Sequence, residues 1–511
     1  MKRNGAKIGA IMSYILIFLN TAYGLIVMPY ILSQVGSSDY GVYRTISSLS
    51  SSLTVLDLGF SGTVLRFVAK YNAENNRSKI NEYLGMALIQ TFIVFGLVTV
   101  VGGGLFFGID PIYSAKFSPN ELRLAKQLYL ILIVNIGLTF FENLFFGVIA
   151  GHNEFGFSNG IKILLLIGKT AAIYLFLPIF QSVIVGVAAQ TILTALAILA
   201  YLLFMYRKLK VRFVFGKWDK ALFKESFGYT ISLFAQSVVI QFNGNIDNMV
   251  IGAVKGSQMV TVYSLAITIF NMYEQLSFSI SGVMLPTVTN RIHSGATSRD
   301  LEDLVIRAGK IQFMILGAIL CGFITLGKEF FMLWLGEGFD DCYFLALILM
   351  IPVTIPLIQN VCLSILRAKN LMAFRTISLL YSTVINVIAT VVGTILYGYY
   401  AAAIGTALST IIGSIISMNI YYHRKLGMNV FRMFFCTVKD VIPALLCATA
   451  LTLLGKGFIY RQVAGKLLPF ILCVAVFVAV YFLILFFFNR RMFKDILRKR
   501  KNTVLKGMKD T

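Results

Sequence analysis

Long apolar runs dominate the chain and recur, with few interruptions, from one end to the other. Each run has roughly 20 residues, enough for a helix to cross about 30 Å of hydrocarbon. The runs are too long and too continuous for the alternating strands of a membrane barrel. Because every backbone group must be hydrogen-bonded internally in lipid, the pattern predicts an all-α polytopic membrane protein.

About fourteen spans are predicted from these runs. They cover residues 9–32, 40–69, 83–108, 123–150, 158–180, 183–206, 226–252, 258–289, 304–327, 342–366, 375–397, 400–422, 436–459 and 467–488. Spans two and eight are the most polar of the set, so hydropathy alone defines them least well.

Composition and charge agree with a membrane protein. The chain is 58% hydrophobic and only 13% charged, whereas a soluble chain of 511 residues needs far more charged surface. Its net charge is +23, and most Lys and Arg fall in segments that an inside N-terminus would place in the cytoplasm. An even number of spans then puts both termini there. The excess charge therefore indicates topology, and we expect no nucleic-acid partner.

Two short stretches indicate an internal duplication. The sequences VGSSDYGVY at 35–43 and KGSQMVTVY at 255–263 share Gly-Ser and Val-Tyr at the same spacing. At an offset of 220 residues, nine of the 33 positions from 36 to 68 are identical. At an offset of 217, three further residues find identical partners: Asn143 with Asn360, Asn153 with Asn370, and Phe157 with Phe374.

The duplication predicts two six-helix repeats followed by two extra helices. Because six is even, the repeats share one orientation and are related by an axis along the membrane normal. The predicted division is an N-terminal bundle at 1–215, a C-terminal bundle at 216–430, two extra helices at 431–489 and a basic cytoplasmic tail at 490–511.

Charged side chains inside spans are the main candidate functional residues. Each costs about 2.5–3.5 kcal/mol on insertion scales, so such groups face a wet cavity or a partner. The candidates are Arg44, Asp57 and Arg66 in span two, Glu142 in span four, Lys169 in span five, Asp247 in span seven, Glu274 in span eight, and Arg367 at the end of span ten. Span two, interpreted as one Ser-rich helix, is predicted to line the path. Snorkelling to the interfaces is the alternative for its two arginines.

The candidate roles divide by charge. Lys169 is interpreted as a cavity-facing cation or as the partner of a carboxylate such as Glu142. Asn243 and Asn245, in QFNGNIDNM, either bond sugar hydroxyls or join helices. The four carboxylates Asp57, Glu142, Asp247 and Glu274 are candidates for ion coupling or for lining the cavity.

Patterns for covalent chemistry are absent from the sequence. No nucleophile–base arrangement or metal spacing stands out, and the GKT at 168–170 has Ile163 where a P-loop needs Gly. We therefore expect no enzyme, no catalytic residue, no metal site and no cofactor.

Two segments carry a family pattern, GSSDYGVYRTISSLSSSLTVLDLGFSGTVLRFVAKY at 36–71 and IDNMVIGAVKGSQMVTVYSLAITIF at 246–270. They resemble the polysaccharide-export (Wzx-like) oligosaccharide flippases of the multidrug/oligosaccharidyl-lipid/polysaccharide exporter superfamily. The resemblance implies a fold related to the multidrug and toxin extruders. It also implies movement of a lipid-linked oligosaccharide, typically on undecaprenyl diphosphate, to the outer leaflet of the bacterial cytoplasmic membrane.

The resemblance further implies that the exported oligosaccharide is used to synthesise a surface polysaccharide (O-antigen, capsule or exopolysaccharide). The counter-ion would be H⁺ or Na⁺, and a glycan polymerase would be a partner.

Three alternative functions stay open. The first is a cation-coupled multidrug antiporter, which would need an acidic cavity. The second is a peptidoglycan-precursor flippase, whose Ser-Arg-rich first span is not seen here. The third, a membrane glycan polymerase or glycosyltransferase, usually needs larger loops than this chain has.

Overall fold

The structure is a computed structural model that describes residues 2–57, 60–215, 238, 241–282 and 284–488. The helices are α1 Lys2–Ser52, α2 Phe60–Ala73, α3 Arg77–Tyr113, α4 Pro119–Gly151, α5 Phe155–Phe180, α6 Ile184–Phe204, α7 241–255, α8 Ser257–Gly282, α9 Met284–His293, α10 Ser298–Leu335, α11 Asp340–Ile358, α12 Asn360–Ala368, α13 Ala373–Tyr397, α14 Tyr400–Ser409, α15 Met418–Leu426, α16 Val430–Val438, α17 Ile442–Gln462 and α18 Leu467–Phe488. Within these ranges there is no strand, and the predicted all-α fold is confirmed.

Eleven of the described helical segments are long and apolar enough to cross a membrane. Three features account for the difference from fourteen. The first two predicted spans lie in one run, Ile11–Ala73. Span seven falls partly on 226–237 and 239–240, outside the described residues. Span eight corresponds mainly to α8, which is not among the eleven. The predicted tail at 490–511 also lies outside the described part.

The outer surface of the helices is apolar, as lipid requires. Large side chains such as Phe107, Leu454 and Phe431 are 78%, 79% and 89% exposed. In water, contiguous exposure of this kind would favour association, whereas hydrocarbon solvates it. The chain is therefore a multi-pass membrane protein.

Span two is not the single helix that the sequence predicted, and this prediction was wrong. Its first part is the end of α1, which continues as a 3₁₀ turn over Leu53–Asp57, and the next described helix is α2, Phe60–Ala73. Hydroxyls compete with the helical pattern at this point, because Ser52 Oγ and Thr54 Oγ each donate to a carbonyl three residues back, at 2.6 and 2.7 Å.

The helices form two compact units. One contains Met1–Leu265 and Thr383–Gly405, and the other contains Ala266–Ser382 and Thr406–Thr511. A core around Phe67, Tyr83 and Tyr201 joins α2, α3 and α6 in the first unit. The cores of the second unit centre on Val361 and Tyr422, and on Ala448 and Phe477. The predicted boundaries at 215, 430 and 489 divide the chain by repeats and stay a prediction.

Residues with a positive φ recur at the two offsets found in the sequence, 220 and 217 residues. Gly36, a kink inside α1, has a φ of 80°, and Gly256, between α7 and α8, has a φ of 89°. Both values lie in the region that glycine adopts without strain. The same correspondence at left-handed positions links Asn75 with Gly295, Asn153 with Asn370, Gln181 with Gly398, and Lys210 with Gly427.

Packing also repeats. Phe157 stacks on Phe204 with ring centroids 3.8 Å apart, and Phe374 stacks on Tyr421 at 4.3 Å. Both members of the second pair follow the first by 217 residues. The duplication is therefore visible in turns and in side-chain contacts as well as in sequence.

The two copies of the opening motif contact each other inside the first unit. A Cβ on Gly41 would lie 1.9 Å from the Ser257 carbonyl oxygen, so only glycine permits this approach. Glu121 Oε1 accepts hydrogen bonds from Ser38 Oγ, at 2.5 Å, and from Ser257 Oγ. The start of α4 thus ties α1 to α8.

Candidate functional site

A cavity of about 330 Å³ opens between α1, α4, α5 and α6 of the first unit. Its wall combines leucines with a concentrated set of polar groups. It is lined by Leu16, Asn20, Thr139, Glu142, Lys162, Leu165, Leu166, Lys169, Gln190, Leu193 and Thr194. Two lysines and one carboxylate are therefore brought together between apolar helices.

Lys169 contacts an amide and an aromatic ring. Its Nζ donates to Gln190 Oε1 at 2.7 Å and lies 5.4 Å from the centre of the Tyr23 ring. In the described part of the chain no carboxylate forms an ion pair with it, so the alternative of a Lys169–Glu142 pair does not hold. The positive charge of Lys169 is solvated by dipoles and a ring, and stays available to an anion.

The amide beneath Lys169 is itself fixed. Gln190 Nε2 donates to Asn135 Oδ1 at 3.5 Å, and Asn135 Nδ2 donates to Thr194 Oγ1 at 3.4 Å. The last two side chains are buried. This chain of weak bonds presents the carbonyl oxygen of Gln190, rather than its NH₂ group, to the lysine.

Lys162 lies two turns before Lys169 on α5, so both lysines face the same side of the helix about 10 Å apart along its axis. Its Nζ lies 3.9 Å from the centre of the Phe146 ring. Glu142 interacts with Lys162 electrostatically, yet the two form no ion pair within 4.0 Å among the described residues. Both side chains line the cavity.

Asp57 terminates the 3₁₀ turn and accepts a hydrogen bond from Asn143 Nδ2 at 3.1 Å. Asn143 is the chain neighbour of Glu142 on α4. Asp57 does not line the cavity. The break in span two therefore joins this carboxylate to α4 outside the cavity.

Asp247 belongs to a second polar region of the first unit, between α7, α8 and α13. It is 5% exposed, and its two oxygens accept from Tyr263 Oη at 2.5 Å and Thr390 Oγ1 at 2.9 Å. Thr390 Oγ1 also lies 3.1 Å from Asn386 Oδ1, a second acceptor within reach of its single hydroxyl hydrogen. We call these residues, with Asn243 and Thr383, the Asp247 network.

The two predicted carboxamides differ in their partners. Asn243 Nδ2 donates to Thr383 Oγ1 at 2.6 Å, and Asn243 Oδ1 accepts from Asn386 at 3.3 Å. Among the described residues, Asn245 Nδ2 bonds only within its own helix, to the Gln241 carbonyl and side-chain oxygens. Asn243 therefore joins α7 to α13, which is one of the two roles predicted for it. The other role, binding of sugar hydroxyls, stays a prediction.

Glu274 lies in the second unit, on α8. Arg375, at the start of α13, interacts with it electrostatically and donates to Ser414 Oγ at 3.2 Å. Arg367 is exposed in the last turn of α12, and Arg66 is exposed on α2. Arg44 is half-buried on α1, and its Nε has no hydrogen-bond partner among the described residues.

Sequence reasoning missed Lys162, Gln190, Tyr263, Thr390 and Arg375. A signal existed for Lys162, because a spacing of seven residues before Lys169 puts both on one helical face. The uncharged partners carried no such signal, since their importance comes from helices distant in sequence.

The fold and the cavity together define a class, the multi-pass membrane proteins with polar groups inside a helical bundle. The sequence profile of the polysaccharide biosynthesis protein family matches residues 7–291, more than half of the chain. The protein belongs to this family, which confirms the resemblance found in the sequence. It is also 20% identical over 413 residues to the uncharacterized membrane protein EpsK of Bacillus subtilis (strain 168), covering 78% of this chain and 79% of that protein.

Two solved structures have a similar fold. Lipid II flippase MurJ, in an inward closed conformation, aligns with a TM-score of 0.71 at 14% identity and covers 95% of this chain and 99% of that chain. An inward-facing multidrug resistance MATE family transporter of the MOP superfamily aligns with a TM-score of 0.64 at 14% identity, over 80% and 98%. The fold is therefore shared by a lipid flippase and by drug transporters.

Proposed function

We propose that this protein is a flippase that moves a lipid-linked oligosaccharide, on undecaprenyl diphosphate, from the inner to the outer leaflet of the bacterial cytoplasmic membrane. Family membership indicates polysaccharide biosynthesis. The observation that carries the choice of substrate is the cavity with two lysines and one carboxylate. An intramembrane cavity with excess positive charge suits an anionic headgroup, whereas a cationic drug would need acidic walls.

The mechanism separates the two parts of the substrate. The prenyl tail stays in the bilayer, and only the diphosphate and its sugars cross. Lys169, Arg44, Arg66 and Arg367 are the proposed cations that offset the phosphate charge. Asn243, Asn245 and other polar groups replace water around the sugars. An inside-negative potential favours outward movement of uncompensated negative charge by about 2.3 kcal/mol per 100 mV.

The carboxylates would couple this movement to a counter-ion. Asp57, Glu142, Asp247 and Glu274 are the proposed groups, with H⁺ or Na⁺ as the ion. Both oxygens of Asp247 accept hydrogen bonds from hydroxyls, and we propose that these two donors can give way to a proton or a cation. The product would supply O-antigen, capsule or exopolysaccharide synthesis, with a glycan polymerase downstream.

The test is flipping by the full chain in liposomes. A lipid-diphosphate oligosaccharide is loaded, and its accessibility to an external glycosidase is followed with and without a membrane potential. Protein-dependent exposure is expected. Proton-driven uptake of a cationic dye without glycan exposure would favour the multidrug antiporter, and exposure only of a peptidoglycan precursor would favour that flippase.

A further inference from the structure

The cavity between α1, α4, α5 and α6 is too small for an oligosaccharide. Its 330 Å³ lies at the lower end of the range of about 300–1,000 Å³ for small-molecule sites. A diphosphate with part of its first sugar fits such a volume, and longer glycan must lie outside it. The cavity therefore has room for the charged junction between lipid and sugar but not for the whole glycan.

The two lysines of this cavity are held differently. Lys169 rests on the Gln190 carbonyl at 2.7 Å, without an ion pair among described residues. Lys162 lies over the Phe146 ring and within the field of Glu142. Lys169 therefore has no carboxylate partner among the described residues, whereas Lys162 shares the cavity wall with Glu142, which interacts with it electrostatically.

We propose that Lys162 and Lys169 together recognise the diphosphate, and that Glu142 is a release residue which competes with the ligand for Lys162. This inference rests on the proposed function and names the chemical group that would bind in the same cavity. A transporter has to bind its cargo firmly enough to take it up and weakly enough to let it go. Glu142 would make release easier, because it attracts Lys162 and so competes with the bound diphosphate for this lysine.

Binding to the full chain in lipid nanodiscs tests the inference, with inorganic pyrophosphate as probe and inorganic phosphate as comparison. Pyrophosphate is expected to bind at least about tenfold more tightly than phosphate, since two charge-assisted contacts replace one. Glu142→Gln should tighten pyrophosphate binding by about tenfold, because Lys162 is released from competition. Lys162→Met should weaken binding and also abolish the effect of Glu142→Gln when the two are combined.

The matched control is Glu154→Gln. This carboxylate pairs with Lys208 at 3.1 Å and does not line the cavity, so its variant should leave pyrophosphate binding unchanged. Lys162→Arg keeps the charge and should retain tight binding. An unfolding temperature of Lys162→Met equal to that of the wild type shows that its loss of binding is not misfolding.

Three results would overturn the inference. They are no pyrophosphate binding by the wild type, no tightening in Glu142→Gln, or equal tightening in Glu142→Gln whether or not Lys162 is present. The glycosidase assay on the same protein separates this failure from that of the proposed function. Glycan exposure without the predicted binding pattern overturns only the inference, whereas the binding pattern without exposure overturns only the flippase assignment.

Discussion

The first unit contains two polar regions that differ in how their charges are satisfied. In the cavity, Lys169 and Lys162 have contacts with an amide and with rings but no ion pair among described residues. In the Asp247 network, the carboxylate is buried and both its oxygens accept hydrogen bonds. Buried charge is costly unless it is compensated, so the two hydroxyls stabilise the Asp247 carboxylate and the helices it joins, whereas the cavity lysines lack an ion-paired carboxylate among the described residues.

The largest expected effect is loss of flipping in Lys169→Met. Removal of a charge-assisted contact to a desolvated phosphate should lower the flipping rate by about 100-fold, or roughly 2.7 kcal/mol. Thermal stability should change little, because no carboxylate is left unpaired. The glycosidase assay measures the rate, and Lys126→Met, which breaks the partly exposed pair with Asp110, is the matched control. Wild-type flipping by Lys169→Met would sink the assignment of this cavity.

The opposite pattern is expected in the Asp247 network. Asp247→Ala leaves the hydroxyls of Tyr263 and Thr390 without their shared acceptor, at a cost of roughly 1–3 kcal/mol in the free energy of unfolding. Thermal unfolding in detergent should therefore shift downward. Asn245→Ala, in the same helix but bonded only within it, provides the control for stability. An unchanged unfolding temperature for Asp247→Ala would mean that the network contributes no packing energy.

Gln190→Leu removes the hydrogen-bond acceptor of Lys169 and keeps both lysines, so it tests the position of Lys169 separately from its charge. Without the carbonyl acceptor, Lys169 loses its fixed position, and flipping should fall by about tenfold, less than in Lys169→Met. Gln190→Glu should lower flipping as well, because it turns an amide contact into an ion pair that competes with the substrate. Normal flipping by Gln190→Glu would contradict this prediction, because it would mean that Lys169 does not need to be without an ion-paired carboxylate.

The smallest effect is expected for Tyr263→Phe. This variant removes one hydrogen bond to Asp247 while Thr390 still donates, so the loss of stability should be about 1 kcal/mol. Thr390→Val removes the other bond and should be similar in size, and the double variant tests additivity by a thermodynamic cycle. A loss as large as that of Asp247→Ala from either single variant would show that the two bonds are not independent contributors.

Much of the fold followed from local pattern. Apolar runs predicted helices because hydrocarbon leaves the backbone no external partner. The offsets of 220 and 217 predicted a duplication that recurs in the paired φ values of Gly36 and Gly256 and in the stacked rings of Phe157 and Phe374. The interruption at Leu53–Asp57 was missed, since a run of small hydroxyl residues fits either a polar helix or a break in one.

The sequence by itself determined that this is a multi-pass helical membrane protein with an internal repeat, and that a few charges lie inside its spans. Those properties depend on composition and on spacing within single segments. Tertiary structure decided what each charge meets: Gln190 under Lys169, Glu142 opposite Lys162, and two hydroxyls around Asp247. The physical reason is that a charge in low-dielectric surroundings takes its role from partners a few ångströms away, and these come from helices that the chain order does not pair.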